Sequence, residues 1–242
     1  MSLQLLDASG RVLLLSGAAG GIGSALAERY LAAGGKVAAL DRAPPPQRDG
    51  VLSIACDVTD AAAVNAAVAQ TLKQFGRIDA LVHAAGVVGA GPLADTPSDD
   101  WQSVLDANLT SAFLLTRAAH AALKDANGAV VFLGSTNGLN GGSALSGAAY
   151  ASAKAGLANL ARYLAKEWAP HVRAATLAAG PVETPMLARL DAATLRALQA
   201  QMLTRRLIEA DEAAACIAFL LSDHARSITG ATLNLSGGLV LD

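Results

Sequence analysis

RVLLLSGAAGGIGSALAERYLAAGG, residues 11–35, holds an apolar run, a glycine cluster and a helical pattern in immediate succession. An unbroken apolar run such as 11–17 reads as a strand buried on both faces, which is how parallel sheets are built. Glycine ends the run, and the apolar residues beyond it are spaced as a helix that stops at Gly34 and Gly35. Gly17, Gly21 and Gly23, with Ile22 between the last two, therefore occupy a strand-to-helix turn. There glycine admits positive φ and lets a ligand approach the backbone, while the new helix aims unpaired N–H groups at an anion. A pyrophosphate suits that arrangement. A plain tight turn between two packed elements is the alternative.

Working outward, the same alternation continues to the end of the chain. Apolar runs at 36–41, 51–58, 79–86, 128–135, 172–180 and 231–238 read as six more strands. Helical patterns fill 60–75, 97–122, 150–168 and 209–221, with Asp60 placed to cap the first of these. APPPQRDG at 43–50 is an extended loop, and 181–206 is a loop with helical pieces. Strand and helix in strict alternation predict an α/β architecture, a doubly wound parallel seven-stranded sheet with helices on both faces. Residues 1–242 are expected to form one domain.

Composition narrows the function. The 242 residues are 53% hydrophobic and 16% charged, which predicts a large buried core. A net charge of −2 gives no electrostatic reason to expect a nucleic acid partner or an anionic membrane. Cys56 and Cys216 stand far apart without a neighbouring ligand set, so they read as small buried hydrophobes and no metal is expected. With no apolar run of about 20 residues and no signal-like start, a cytoplasmic location is expected.

Ligands of a doubly wound sheet bind at the carboxyl ends of its strands. Asp41 ends the second strand about twenty residues after the glycines, where a carboxylate accepts hydrogen bonds from a ribose 2′-OH and repels a 2′-phosphate. NAD is therefore favoured over NADP, although Arg42 beside it could reach such a phosphate. Asp57 and Val58 suit an adenine edge or a simple turn. In HAAG, Ala84 and Gly86 are small enough for a ribose to lie against the backbone, and His83 reads as a structural hydrogen-bonding residue. Tyr150 and Lys154 in YASAK share one helical face, about 6 Å apart along the axis. A cation so near a phenol is expected to bring its pKa down toward neutrality and make it a usable proton shuttle.

SGAAGGIG, Asp41, HAAG, Asn108 in ANLTSAF, Ser135 in VVFLGS and YASAK occur in an order that resembles the short-chain dehydrogenase/reductase family. The resemblance covers nearly the whole chain and implies a Rossmann fold. It implies that Tyr150 exchanges a proton with the substrate oxygen, and that Lys154 tunes the phenol and holds the nicotinamide ribose. Ser135 would bind the substrate oxygen, Asn108 would hold a water beside Lys154, and Val182 and Thr184 would grip the nicotinamide side of the cofactor. The sequence departs from the family in lacking the paired asparagines at HAAG and in a longer stretch from Ser135 to Tyr150, where Asn137 is a polar rival to Ser135. The expected activity is hydride transfer between NAD(H) and a largely uncharged secondary alcohol or ketone, with Arg189, Arg196, Arg205 and Arg206 read as solvated charges; one of them pointing inward would instead suit an acidic substrate such as a sugar acid or hydroxy acid. A homotetramer, paired through the helices that carry Asn108 and Tyr150, follows from the resemblance. The alternative is a catalytically silent NAD(H)-binding redox sensor.

Overall fold

A computed structural model describes residues 6–43 and 48–241 of the chain, so part of the 43–50 loop lies outside the described residues. The strands are β1 (Val12–Ser16), β2 (Lys36–Asp41), β3 (Val51–Ala55), β4 (Ala80–His83), β5 (Ala129–Ser135), β6 (Arg173–Ala179), β7 (Val182–Glu183), β8 (Ile208–Glu209) and β9 (Thr232–Leu235). Seven of them form one sheet in the order β3-β2-β1-β4-β5-β6-β9, and every neighbouring pair is parallel. The helices are α1 (Gly21–Ala32), α2 (Ala61–Phe75), α3 (Ser98–Leu105), α4 (Ser111–Asp125), α5 (Asn137–Asn140), α6 (Ala148–Glu167), α7 (Ala192–Gln201) and α8 (Ala210–Leu221).

Alternation along each strand divides the core in two. Leu13 and Leu15 of β1 pack with Leu26 and Tyr30 of α1 and Ile217 of α8 on one face of the sheet. Leu14, between them, points to the opposite face and meets Val64 of α2, Leu115 of α4 and Leu157 of α6. All three leucines are fully buried, and each contributes roughly 1.5–3 kcal/mol by leaving water. Because both faces are covered in this way, the strands carry no polar face, which explains their continuous apolar runs. The cap expected of Asp60 forms, its carboxylate accepting from the N–H groups of Ala62 at 2.8 Å and Ala63 at 3.4 Å.

Two features depart from the sequence reading. Residues 97–122 do not form one helix. Between α3 and α4 the chain makes a π turn over Asp106–Thr110, which takes up one residue more than an α-turn. The side-chain oxygen of Asp106 holds it from both sides, accepting from Gln102 Nε2 and Thr110 Oγ1 at 2.9 Å each. The second is the parallel pairing of β7 with β8, two-residue strands that bring 182–183 beside 208–209. Helix propensity and apolar spacing carry no information on either: the π turn is held by side-chain hydrogen bonds four residues apart, and the β7–β8 pairing joins segments distant in sequence.

Strand order reverses direction at β1, which has β2 on one side and β4 on the other, in the register Ser16 opposite both Leu40 and His83. Crossovers leave this point in opposite senses, so a crevice opens above the carboxyl ends of β1 and β4.

Candidate active site

The crevice is a cavity of about 390 Å³. The glycine turn forms one end of it. Gly17 has φ of +71°, and a Cβ there would lie 2.6 Å from the backbone nitrogen of Ala85, so the turn is pressed against the end of β4. A Cβ on Gly21 would come within 2.7 Å of Thr184 Cγ2, and one on Gly23 within 2.1 Å of the Gly17 carbonyl oxygen. No side chain caps α1 and no acidic residue lies in its first turn, so its leading N–H groups face the cavity without a competing acceptor. These are the features a bound pyrophosphate requires, and a dinucleotide fits the residues present.

At the middle of the crevice stands Asn108, fully buried at the centre of the π turn. Its Nδ2 donates to the carbonyl oxygens of Val87 and Val104, both at 2.8 Å, while its buried Oδ1 has no hydrogen-bond partner. A Cβ on Gly86 would lie 2.3 Å from that oxygen and 3.6 Å from Lys154 Nζ. Gly86 thus keeps the space between the amide oxygen and the ammonium open. A buried acceptor aimed at such a space is disfavoured unless a polar guest completes it, and a water or ribose hydroxyl would do so.

His83 fixes the position of that turn. Its Nδ1 lies 2.8 Å from Ser16 Oγ, and its Nε2 lies 3.2 Å from the Asn108 carbonyl oxygen and 3.1 Å from Ser111 Oγ. One ring therefore ties the end of β1 to the π turn. Burial, reinforced by the charge of Lys154, pushes its pKa down to about 3, so the imidazole is neutral. The structural role expected of His83 is what the coordinates place there.

Ser135, Tyr150 and Lys154 converge on the cavity from β5 and α6. Helix α6 can approach this closely because small residues line it: a Cβ on Gly138 of α5 would lie 2.7 Å from the backbone of Lys154 and Ala155. Lys154 Nζ donates to the Leu133 carbonyl oxygen at 2.7 Å and sits 5.4 Å from the centroid of the Tyr150 ring. The electrostatics differ from the expectation. Tyr150 is raised above its usual value because burial disfavours the phenolate; Ser135, by hydrogen bonding, and Arg189, by its charge, only partly offset this. Burial also lowers Lys154 to about 7, so its ammonium is itself half lost at neutrality and does not act as the full cation assumed from sequence. In this state the phenol holds its proton.

Asn137 lines the cavity beside Ser135. Its N–H donates to Ser135 Oγ at 3.1 Å and its Nδ2 to Ser146 Oγ at 2.7 Å, so it braces the serine against the 141–147 loop. That loop supplies Ser143, Leu145 and Ser146 to the cavity wall.

Of the residues read as cofactor-binding, Gly17, Gly21, Ile22 and Gly23 line the cavity together with Ala84, Gly86, Val182 and Thr184. Asp41, Arg42, Asp57 and Val58 do not. Asp41 accepts from the Ala19 N–H at 3.0 Å, beside the glycine turn. Asp57 is held by its own turn, accepting from Thr59 N and Oγ1 at 2.9 and 2.7 Å, and Val58 is buried in the core. The four arginines also divide. Arg206 pairs with Glu212, Arg205 bonds the Ala200 carbonyl oxygen, and Arg196 is exposed on α7. Arg189 is exposed, as expected of a solvated charge, and at the same time borders the cavity. Sequence offered no signal for this, because an arginine beside a 3₁₀ turn looks the same facing either way.

A family model described as enoyl-(acyl carrier protein) reductase matches residues 17–240. The chain is 33% identical to the 3-oxoacyl-[acyl-carrier-protein] reductase FabG of Salmonella typhimurium, across 96% of this chain and 98% of that protein. It is 36% identical to the D-threitol dehydrogenase of Mycolicibacterium smegmatis, across 96% of this chain and 94% of that one. Among solved structures it superposes with a TM-score of 0.92 and 31% identity on the short-chain dehydrogenase/reductase SDR:glucose/ribitol dehydrogenase from Brucella melitensis, covering 98% of this chain and 99% of the other.

Proposed function

The chain belongs to the short-chain dehydrogenase/reductase family and is an oxidoreductase, and from that premise we propose that it interconverts a secondary alcohol and a ketone with NAD(H). The observation that carries this reading is the convergence of Ser135, Tyr150, Lys154 and Asn108 on the cavity that begins at the glycine turn. A bound nicotinamide supplies the hydride in reduction and accepts it in oxidation. Tyr150 gives its phenolic proton to the carbonyl oxygen, and a phenol that stays protonated at neutrality suits that direction. Ser135 Oγ holds the same oxygen in place, and Lys154, close to its pKa, returns a proton to the site. The unpaired Asn108 Oδ1 holds the water through which that proton arrives.

Asp41 supports NAD over NADP, because its carboxylate stands beside the glycine turn where a 2′-phosphate would meet like charge. The substrate is small to medium in size, its body held by Leu133, Leu145, Leu187 and Leu190. The whole chain acts as one nucleotide-binding domain. It assembles as a homotetramer through α4 and α6, whose exposed Phe113 and Tyr163 leave apolar faces in the monomer, and sedimentation velocity reads that state directly.

The test is nicotinamide absorbance in mixtures of the protein, NADH or NADPH, and a panel of ketones. We expect turnover that prefers NADH and falls at least 100-fold in Tyr150→Phe, as loss of a general acid would give. Turnover unchanged in that variant would remove the assignment.

A further inference from the structure

We propose that Arg189 binds a carboxylate carried by the substrate, so that the physiological pair is a hydroxy acid and the corresponding oxo acid. This rests on the reading of Tyr150 as the proton donor beside a nicotinamide, and names the substrate class of that site.

The cavity wall supplies the argument. Among the described residues, Lys154 and Arg189 are the charged side chains that line it, and no aspartate or glutamate does. Lys154 is buried behind the phenol and bonded to Leu133, which leaves Arg189 as the cation available to a ligand. Its Nη2 donates to the Leu145 carbonyl oxygen at 2.7 Å, which anchors the guanidinium on the 141–147 loop and leaves its other donors unspent. Among the described residues no carboxylate forms an ion pair with it. Asp95 and Asp100 line the adjoining cavity, which Arg189 also borders, and neither pairs with it. Arg189 is exposed at the mouth of the cavity, whereas Arg196, Arg205 and Arg206 do not line it. An unpaired guanidinium anchored by one N–H, in a wall otherwise apolar or hydroxylated, matches the planar fork of a carboxylate.

The position is also coupled to the chemistry. Arg189 is close enough to Tyr150 for its charge to act on the phenol. A ligand spanning the two therefore places its carbonyl at the proton donor and its carboxylate at the guanidinium within one small molecule. The reduction stays balanced: the carbonyl carbon takes a hydride from the reduced nicotinamide, its oxygen takes the Tyr150 proton, and the carboxylate is unchanged.

The experiment compares short 2-, 3- and 4-oxo acids with their own methyl esters, on the wild type and on Arg189→Gln and Arg189→Lys. At least one acid is expected to exceed its ester in kcat/KM by about 10- to 100-fold, the range of a charge-assisted hydrogen-bonded pair. Arg189→Gln is expected to bring the acid-to-ester ratio of kcat/KM to about one, whereas Arg189→Lys keeps part of the preference. Calorimetric titration with butanoate, with and without NAD⁺, reads the anion site without turnover. Saturable binding that disappears in Arg189→Gln sustains the carboxylate site even if no oxo acid reacts, a result that would instead overturn the alcohol–ketone reading. If wild-type protein neither prefers an acid nor binds butanoate, or if Arg189→Gln lowers acid and ester alike, Arg189 does not select the substrate.

Discussion

Replacing Gly17 by alanine separates two effects that the structure superimposes at the mouth of the site. Gly17 has φ of +71°, where a Cβ is disfavoured by roughly 1–2 kcal/mol. The same Cβ would lie 2.6–2.8 Å from backbone atoms of Ala84 and Ala85, which belong to the end of the central β4 and cannot swing aside. Forcing an extra methyl into rigid surroundings adds about 1–3 kcal/mol, so Gly17→Ala should lose about 2–5 kcal/mol. Gly76 is the control. Its φ is +77°, at the end of α2, and a Cβ there meets nothing within 4 Å. Gly76→Ala should therefore lose only the conformational part. Urea denaturation without cofactor gives both values, and titration by NADH fluorescence should show weakened binding in Gly17→Ala alone, since of the two turns only that one lines the proposed cofactor cavity. If the two variants lose equal stability, the close approach of β1 to β4 is not what demands glycine at 17.

Two pH experiments follow from the buried bases. His83 has its pKa lowered from 6.5 to about 3, so the unfolded chain takes up a proton that the fold refuses between those values. Its contribution is complete above pH 6.5 and shrinks as pH falls toward 3. The stability difference between wild type and His83→Asn should then move against the wild type by up to about 1.4 kcal/mol per pH unit, and a difference constant from pH 7.5 to 5 would refute the burial of a neutral ring. Lys154 is lowered from 10.5 to about 7, so the same reasoning places its window at higher pH. Wild type should gain on Lys154→Met as pH rises from 7 toward 10, measured by denaturation at several pH values; a flat difference would mean the ammonium is not desolvated.

Much of this was readable before any coordinates. The strand–glycine–helix order at residues 11–35 predicts a parallel sheet with a glycine turn at its switch point, which is what forms, and the ordered Asn108, Ser135, Tyr150 and Lys154 do converge. What sequence could not supply depends on burial and direction. The phenol was expected to fall because a cation lies one helical turn away, yet desolvation of both groups wins, since α6 is packed until Tyr150 and Lys154 have almost no contact with water. Asp57 looked equivalent to Asp41 as a strand-end carboxylate, but Thr59 two residues later occupies it. Arg189 was grouped with three other arginines because nothing local shows which exposed guanidinium borders the cavity.

The π turn has a consequence for how this chain tolerates change. The additional residue over Asp106–Thr110 puts the rod before it and the rod after it out of phase. The upstream rod presents Val104 beside Tyr150, while the downstream one turns Leu115 and Ala119 beneath the sheet. A substitution there alters one contact. A single-residue deletion would close the turn to ordinary α spacing and remove the bulge that carries Asn108, so the segment is tuned by its length more than by its letters.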